Sequence, residues 1–314
     1  MIRLALRRLV MGGCTLLLVA TLVFVATELI PGDAAFALLG QGASEEALAA
    51  MRERLGLERP ALVRYVEWLG RTMSGDLGTS FGTGTAVGPL VAERFWNTIR
   101  LAAFAALLGM PVAFLLGVAS AMRAGSTLDR SVGTVALTVV SFPDFFVGLV
   151  LVFLFAVQLN LFPAISMVRA GQSGSAFLWA SFLPALTLAL AIAPHLIRMT
   201  RAAIISGLTS GYVEMSILKG VSRSQIIWRH VLPNVLGPLI SISALILAYF
   251  VAGVVVVETV FAFPGLGRLM VDAVATKDTP LIQACALLLS TVYVVMNTLA
   301  DVLAVMSNPR LRDR

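Results

Sequence analysis

The chain has 314 residues, of which 59% are hydrophobic and 13% charged, where a soluble domain carries about 25% charge. A mean hydropathy of +0.93 excludes an ordinary water-soluble domain and makes the bilayer the solvent. The formal net charge of +6 is read from the positions of its cations, which point to membrane topology and not to a nucleic-acid patch.

Six runs are long enough for a hydrocarbon core, which takes roughly 20 residues per helix. They are 9 to 27, 101 to 121, 132 to 157, 177 to 197, 235 to 257 and 281 to 300. The first follows Arg3, Arg7 and Arg8. It is longer than the ~7–15 residues of a signal-peptide core and is read as a retained span. The apolar neighbours of Arg7 and Arg8 argue against a twin-arginine export signal.

Residues 31 to 100 form a long loop that reads as a modest cap, too small for a separate catalytic domain. "SEEALAAMRERLG" offers Ser44 as a cap and Gly56 as a stop, and "PALVRYVEWLGRTM" begins a second short helix at Pro60. The turn-rich "SGDLGTSFGTGT" follows. Within the spans, Pro111, Pro143, Pro184, Pro194 and Pro238 recur with many Gly and Ala, a composition that predicts kinks and close helix packing.

Asp144, after Pro143, falls near the middle of the third span, where an acid is costly. It either lines a pathway with Phe145 and Phe146 or pairs with a backbone group freed at the proline. His195, beside Pro194, is either a proton-sensitive group or a packed, hydrogen-bonded one. Glu258 and Asp301 fall at span ends, where snorkelling to the headgroups accounts for them. Cys14 and Cys285 lie inside spans and suggest small buried side chains, with neither a disulfide framework nor a metal site.

The polar loop 198 to 234 reads as two short helices around a tight turn. "GYVEMSILK" is helix-compatible and Gly220 stops it. "SRSQIIWRHVL" restarts, with Ser222 and Gln225 spaced as a capping box, and is expected to end before Pro233. Ile226, Ile227 and Trp228 beside Arg229 and His230 suit either lipid headgroups or another protein.

With the N-terminus inside, the inner segments hold Arg3, Arg7, Arg8, Arg123, Arg130, Arg198, Arg201, Lys219, Arg223, Arg229, Arg310, Arg312 and Arg314. The short outer loops hold Arg169, Arg268 and Lys277. This places both termini in the cytoplasm.

Enzyme readings are weak. "GQSG" (171 to 174) fits a serine-nucleophile pattern, yet Ser173 and His195 bracket one span and stand about 33 Å apart, far beyond hydrogen-bond reach. "SILK" (216 to 219) spells a serine–lysine pair with no partner motif in reach. A phosphate-cradling loop needs Lys followed by Ser or Thr, and the two lysines, Lys219 and Lys277, are followed by Gly and Asp. Any ATP is therefore hydrolysed by another chain, and no bound cofactor is expected.

Glu214, with Gly220 six residues on and Leu232-Pro233 beyond, resembles the E-A-A-x-x-x-G-x9-I-x-L-P loop of ABC-importer permeases. Met215 and Ser216 replace its alanines and His230 its isoleucine. "LIPGD" (29 to 33), "GDLGTSF" (75 to 81), "SFPDFFVG" (141 to 148), "VVVETVFAFPGLGRLMVDA" (255 to 273) and "NPR" (308 to 310) resemble, in order and along the whole chain, the permeases of dipeptide, oligopeptide and nickel importers.

The resemblance implies an all-α membrane protein with the type I ABC-importer permease fold and a cytoplasmic coupling helix-turn-helix. Its partners would be a second homologous permease, two ATPases and an extracytoplasmic binding protein, with lipid around them and no nucleic acid. It places the chain in a bacterial inner membrane and assigns ATPase docking to Glu214, Lys219, Gly220, Ser222, Leu232 and Pro233. Glu258, Phe261, Pro264, Gly265 and Gly267 become an outer gate, in which the proline and glycines supply a sharp reversal. The substrate would be a small peptide or related solute, with nickel complexes, glutathione-like peptides, opines and modified sugars also within the group. The alternative is a stand-alone ion-coupled transporter, for which Asp144 is a midplane group but a second acid and an internal repeat are missing.

Overall fold

The computed structural model describes residues 2–29, 34–40, 42–169 and 171–307. Most of "LIPGD" and all of "NPR", with Arg310, Arg312 and Arg314, lie outside the described residues.

The described residues are almost wholly helical. In order they form α1 (Ile2–Leu29), α2 (Ala34–Leu39), α3 (Glu45–Arg54), α4 (Ala61–Met73), α5 (Val87–Met122), α6 (Thr127–Val140) and α7 (Asp144–Leu151), which a π-helical stretch extends over Val152–Gln158. There follow α8 (Gly174–Leu208), α9 (Gly211–Leu218), α10 (Arg223–Gln225), a second π stretch (Ile226–Val231), α11 (Leu232–Val260), α12 (Leu266–Thr276) and α13 (Thr279–Ser307).

Among the described residues four helical segments are long and apolar enough to cross a membrane: Val10–Leu29, Val87–Met122, Gly174–Leu208 and Thr279–Leu303. The bent pair Thr127–Val140 and Asp144–Gln158 makes a fifth if counted as one span. The expected span 235 to 257 falls inside the 29-residue α11, several of whose side chains lie outside the described residues.

Two of the helices run well past the expected spans. α5 begins at Val87, inside the expected cap, and α8 ends at Leu208, inside the expected loop. Pro111 in α5 and Pro184 and Pro194 in α8 do not interrupt them. Pro143 does: the third span is two helices that turn by 103° at residues 141–143, and Pro143 caps the second of them. A proline lacks the N–H that would continue the first helix and suits the first residues of a new one.

The chain divides into two compact units. One comprises Met1–Leu9, Arg100–Phe263 and Tyr293–Arg314. Its core joins Leu101, Ala105 and Ala113 of α5 to Leu183, Leu188, Ile192 and Leu196 of α8 and to Val254, Val257 and Phe261. α5 and α8 touch backbone to backbone: a β-carbon on Gly109 would lie 2.8 Å from Ala189 Cβ, and one on Gly117 would lie 2.7 Å from Thr200 Cβ. Small residues permit this approach, as they do between membrane helices generally.

The other unit comprises Val10–Ile99 and Pro264–Val292. Its core packs Val87 and Val91 of α5 against Leu266 and Ala273 of α12 and Ile282 and Cys285 of α13. The expected short helices of the cap are α3 and α4. Ser44 accepts from Ala47 N–H as the N-cap of α3, and Gly56 follows that helix with φ +68°. Buried Asp278 fastens the turn-rich segment, accepting from Ser80 Oγ–H and from the N–H groups of Phe81 and Gly82.

Candidate functional site

The loop after α8 folds as the sequence indicates, with one exception. Ser210 is extended ahead of α9, Glu214 lies in its first turn, and Gly220 takes φ +74° just beyond its end. Gly220 N–H donates to Ile217 O at 2.9 Å and Val221 N–H to Ser216 O at 3.1 Å, closing the last turn. Ser222 Oγ accepts from Gln225 N–H at 3.4 Å and donates to Gln225 Oε1 at 3.2 Å, so the serine half of the expected capping box forms, with the Gln225 side chain on the hydroxyl.

The exception is the end of the second helix, which was expected before Pro233. Helical backbone instead runs from Arg223 through the π stretch into α11, with Pro233 in its first turn. The wider π turn gives Leu232 N–H the carbonyl of Ile227, five residues back. Pro233 then falls where a missing N–H does no harm.

This small fold is fixed by burial. Val213, Ile226, Ile227, Val231 and Leu232 pack on Val118 and Ala121 of α5 and Ile204 of α8. A β-carbon on Gly207 would lie 2.6 Å from Val231 Cγ1, so the loop presses directly on the end of α8. What it leaves outside is apolar with charged flanks: Tyr212, Met215, Ile217, Leu218 and Trp228 are exposed, as are Glu214 and Lys219. An exposed apolar set of this kind marks an interaction face.

Asp144 is not in the middle of a helix. It opens α7 at the 103° turn and is half-buried. The helix packs on α11, since a β-carbon on Gly253 would lie 3.4 Å from Asp144 Oδ2 and one on Gly148 would lie 3.2 Å from the Phe261 ring. Asp144 and Phe261 thus flank one α7–α11 contact. Phe145 and Phe146 are exposed beside it, Phe146 stacking on Phe142 with ring centres 5.2 Å apart.

Two expectations for "ETVFAFPGLG" are corrected. Glu258 does not snorkel: its side chain is fully buried, and Phe263 N–H donates to its carbonyl at 2.8 Å. The chain folds back over it, with Phe261 and Phe263 also buried. The left-handed residue of the reversal is Ala262, at φ +50°, and not a glycine. Gly265 is extended at φ −107° as the N-cap of α12, and Gly267 is buried in that helix's first turn. The far side of the reversal is tied to α5, where Asn97 Nδ2–H donates to Pro264 O at 3.0 Å and Leu266 N–H donates to Thr98 Oγ1 at 2.8 Å.

His195 is exposed on α8, and Ser173 is that helix's N-cap, so the two stand at opposite parts of one rigid element. Asp301 pairs with Arg8 at 2.8 Å. Among the described residues no group of three His, Cys, Asp or Glu could hold a metal ion.

Residues 113–313 match the family described as binding-protein-dependent transport system inner membrane component, and residues 1–102 match its N-terminal region. The chain belongs to this family. It is 36% identical over 312 residues to a putative peptide transport system permease protein of Brucella abortus, covering 99% of each chain. It is 34% identical over 307 residues to a probable peptide ABC transporter permease protein of Sinorhizobium fredii, covering 98% of each. It is 36% identical over 317 residues to a glutathione transport system permease protein of Salmonella choleraesuis, covering 99% of each. The protein is thus a multi-pass inner-membrane permease, the non-catalytic membrane component of a binding-protein-dependent ABC transporter. Such a system includes a binding protein and an ATPase.

Sequence reasoning passed over one feature of this permease. Asp129 of α6, itself buried, accepts from Arg201 Nε–H at 2.6 Å and Nη2–H at 2.9 Å, from Gly125 N–H at 2.8 Å and from Ser120 Oγ–H. The cluster joins α5, the α5–α6 turn, α6 and α8 just ahead of the α9 loop. The only local signal was Ser126 capping α6 three residues before Asp129.

Proposed function

We propose that this permease imports a small peptide or related solute, received from its binding protein, with the force of ATP binding entering through the loop 198–234. In this reading the chain has six spans, α11 being one of them, and a type I importer fold. Both termini are cytoplasmic, a second homologous permease completes the pathway, and two ATPases dock on the loop. The relatives it matches are named for peptide and glutathione transport, which supports the substrate class.

The observation that carries the reading is the division of labour in the loop. Its buried side chains grip α5 and α8, while α9 offers Tyr212, Met215, Ile217 and Leu218 outward beside Glu214 and Lys219. A partner that favours one arrangement of the spans needs such a grip, because work is done only through a difference in affinity between two states. Gly220, at φ +74°, holds the turn, and Ser222, Leu232 and Pro233 set the return into α11. Asp144, Phe145 and Phe146 are pathway candidates, and the segment from Glu258 through Phe261, Pro264 and Gly265 to Gly267 is the gate candidate.

The test is affinity purification of the tagged chain from mild detergent, with and without Gly220→Val. Recovery of two ATPases and a second permease, with the ATPases lost in the variant, supports the reading. A chain that purifies alone and transports on an ion gradient overturns it in favour of a secondary transporter.

A further inference from the structure

Helix α4 has three distinct faces. At 100° per residue, Leu62, Val66, Leu69 and Met73 fall within an arc of roughly 60°, and Arg64, Glu67 and Arg71 fall within a similar arc roughly 160° away. Tyr65 and Trp68 lie between the two arcs and pack on α1, their rings 5.2 and 5.9 Å from that of Phe24. Leu62, Val66 and Met73 are 74%, 60% and 82% exposed, far more than three apolar residues aligned on one short helix would be in a water-facing cap.

These faces are ordered along α1. On the charged side Arg64 reaches Glu28, near the C-terminal end of α1, with Nη2 2.6 Å from Oε2. On the side toward the apolar arc, Tyr65 Oη shares a hydrogen bond of 2.8 Å with Thr21, seven positions deeper. The charged arc therefore faces the end of the spanning segment Val10–Leu29, and the apolar arc faces its interior. A cavity of about 760 Å³ with a mixed polar and apolar lining lies on the charged side, with Arg64, Glu67 and Arg71 among its walls.

Depth agrees with polarity. α4 crosses α1 at Phe24, five residues before Leu29, which at 1.5 Å per residue is about 7–8 Å inside the end of the helix. Interfacial amphipathic helices lie about 5–10 Å into the boundary between headgroups and acyl chains. Leu18, Leu22, Val25 and Leu29 of α1 are exposed along the same stretch, so the bare stripe of α4 continues an apolar surface that already belongs to a membrane span.

We propose that α4 is an interfacial membrane helix, lying across α1 with Leu62, Val66 and Met73 in the acyl region of the adjoining leaflet and Arg64, Glu67 and Arg71 toward water. The cap is then partly immersed in lipid, and the aromatic contact at Phe24 and the ion pair at Glu28 hold its depth. Tyr65 and Trp68 sit at the boundary, where rings with one polar end are favoured.

The test uses the intact transporter in vesicles of phosphatidylethanolamine and phosphatidylglycerol, on a Cys14→Ser background that leaves Cys285 buried. A bimane fluorophore is placed at Val66→Cys, Met73→Cys or Arg71→Cys, and its quenching is read with doxyl-labelled lipid and with aqueous iodide. The proposal expects loss of fluorescence to doxyl lipid at positions 66 and 73 and to iodide at position 71. Iodide quenching at all three overturns it in favour of a water-facing cap. Protection of positions 66 and 73 from both quenchers overturns it in favour of cover by a protein chain, such as the second permease. The readout needs no transport, so it stands or falls separately from the proposed import reaction.

Discussion

Arg201 grips Asp129 with two parallel hydrogen bonds across 72 residues of sequence, Nε to Oδ1 at 2.6 Å and Nη2 to Oδ2 at 2.9 Å. The pair ties α6 to α8 seven positions before α8 ends and the α9 loop begins. Asp129→Asn leaves the guanidinium without its carboxylate. Because Arg201 is 39% exposed and recovers some hydration, the loss is set at about 2 kcal/mol, below the 3–5 of a fully buried pair. Thermal unfolding in detergent measures it, and the double variant with Arg201→Gln loses less than the sum of the single ones.

Gly117 meets Thr200 with no room for a side chain, whereas Gly13 has nothing within 4 Å of a β-carbon. Gly117→Leu is expected to cost about 3 kcal/mol or to block assembly, since overpacking forces backbones apart. Gly13→Ala leaves the unfolding midpoint unchanged or slightly raised. Thermal midpoints of the two variants in the same detergent check the pair of outcomes.

Gly220 sits in the left-handed region, and a β-carbon there would meet nothing within 4 Å, so its requirement is conformational and not steric. Gly220→Asn retains most ATPase co-purification, because Asn tolerates positive φ, while Gly220→Ala costs about 1 kcal/mol in the loop and weakens it. Equal retention in both variants shows that the turn is not what the partner reads.

Ala262, and not the expected Gly265 or Gly267, carries the left-handed φ of the reversal, at +50°. Ala262→Gly is expected to be neutral or to stabilise by up to about 1 kcal/mol, and Ala262→Val to destabilise by more than that, because a branched β-carbon is poorly tolerated there. Denaturation midpoints of the purified chain distinguish the two.

Asp278 accepts from Ser80 Oγ–H and from two backbone N–H groups of the turn-rich segment. Asp278→Ala leaves those donors without their acceptor in a buried place, at about 1–3 kcal/mol. Amide hydrogen exchange across residues 76–86 is expected to accelerate in this variant while α5 beyond it stays protected.

Local signals were legible and distant ones were not. Ser44, Gly56, Gly220 and the Ser222–Gln225 pair each act within one helical turn, so their spacing alone placed the short helices. Pro143 was visible, but whether a proline bends a span or breaks it depends on what packs beside it; Pro111, Pro184 and Pro194 sit inside unbroken helices. Glu258 reads as a residue for the headgroups from its place at a span end, because only the fold shows its side chain buried where the chain reverses through Phe261 and Phe263. Arg201 was counted as one more inner cation, since nothing near it in sequence announces Asp129.

The backbone contacts at Gly109 and Gly117 carry a mechanical meaning. Only glycine hydrogens and the β-carbons of Ala189 and Thr200 separate the two helices there, so α5 and the facing part of α8 cannot close further, and any larger side chain must drive them apart. In the proposed docking on α9, a push would meet the end of α8 at the Gly207–Val231 contact. Compliance is left to the places where regular hydrogen bonding is already relaxed: the π stretch at Ile226–Val231 and the turn before Pro143.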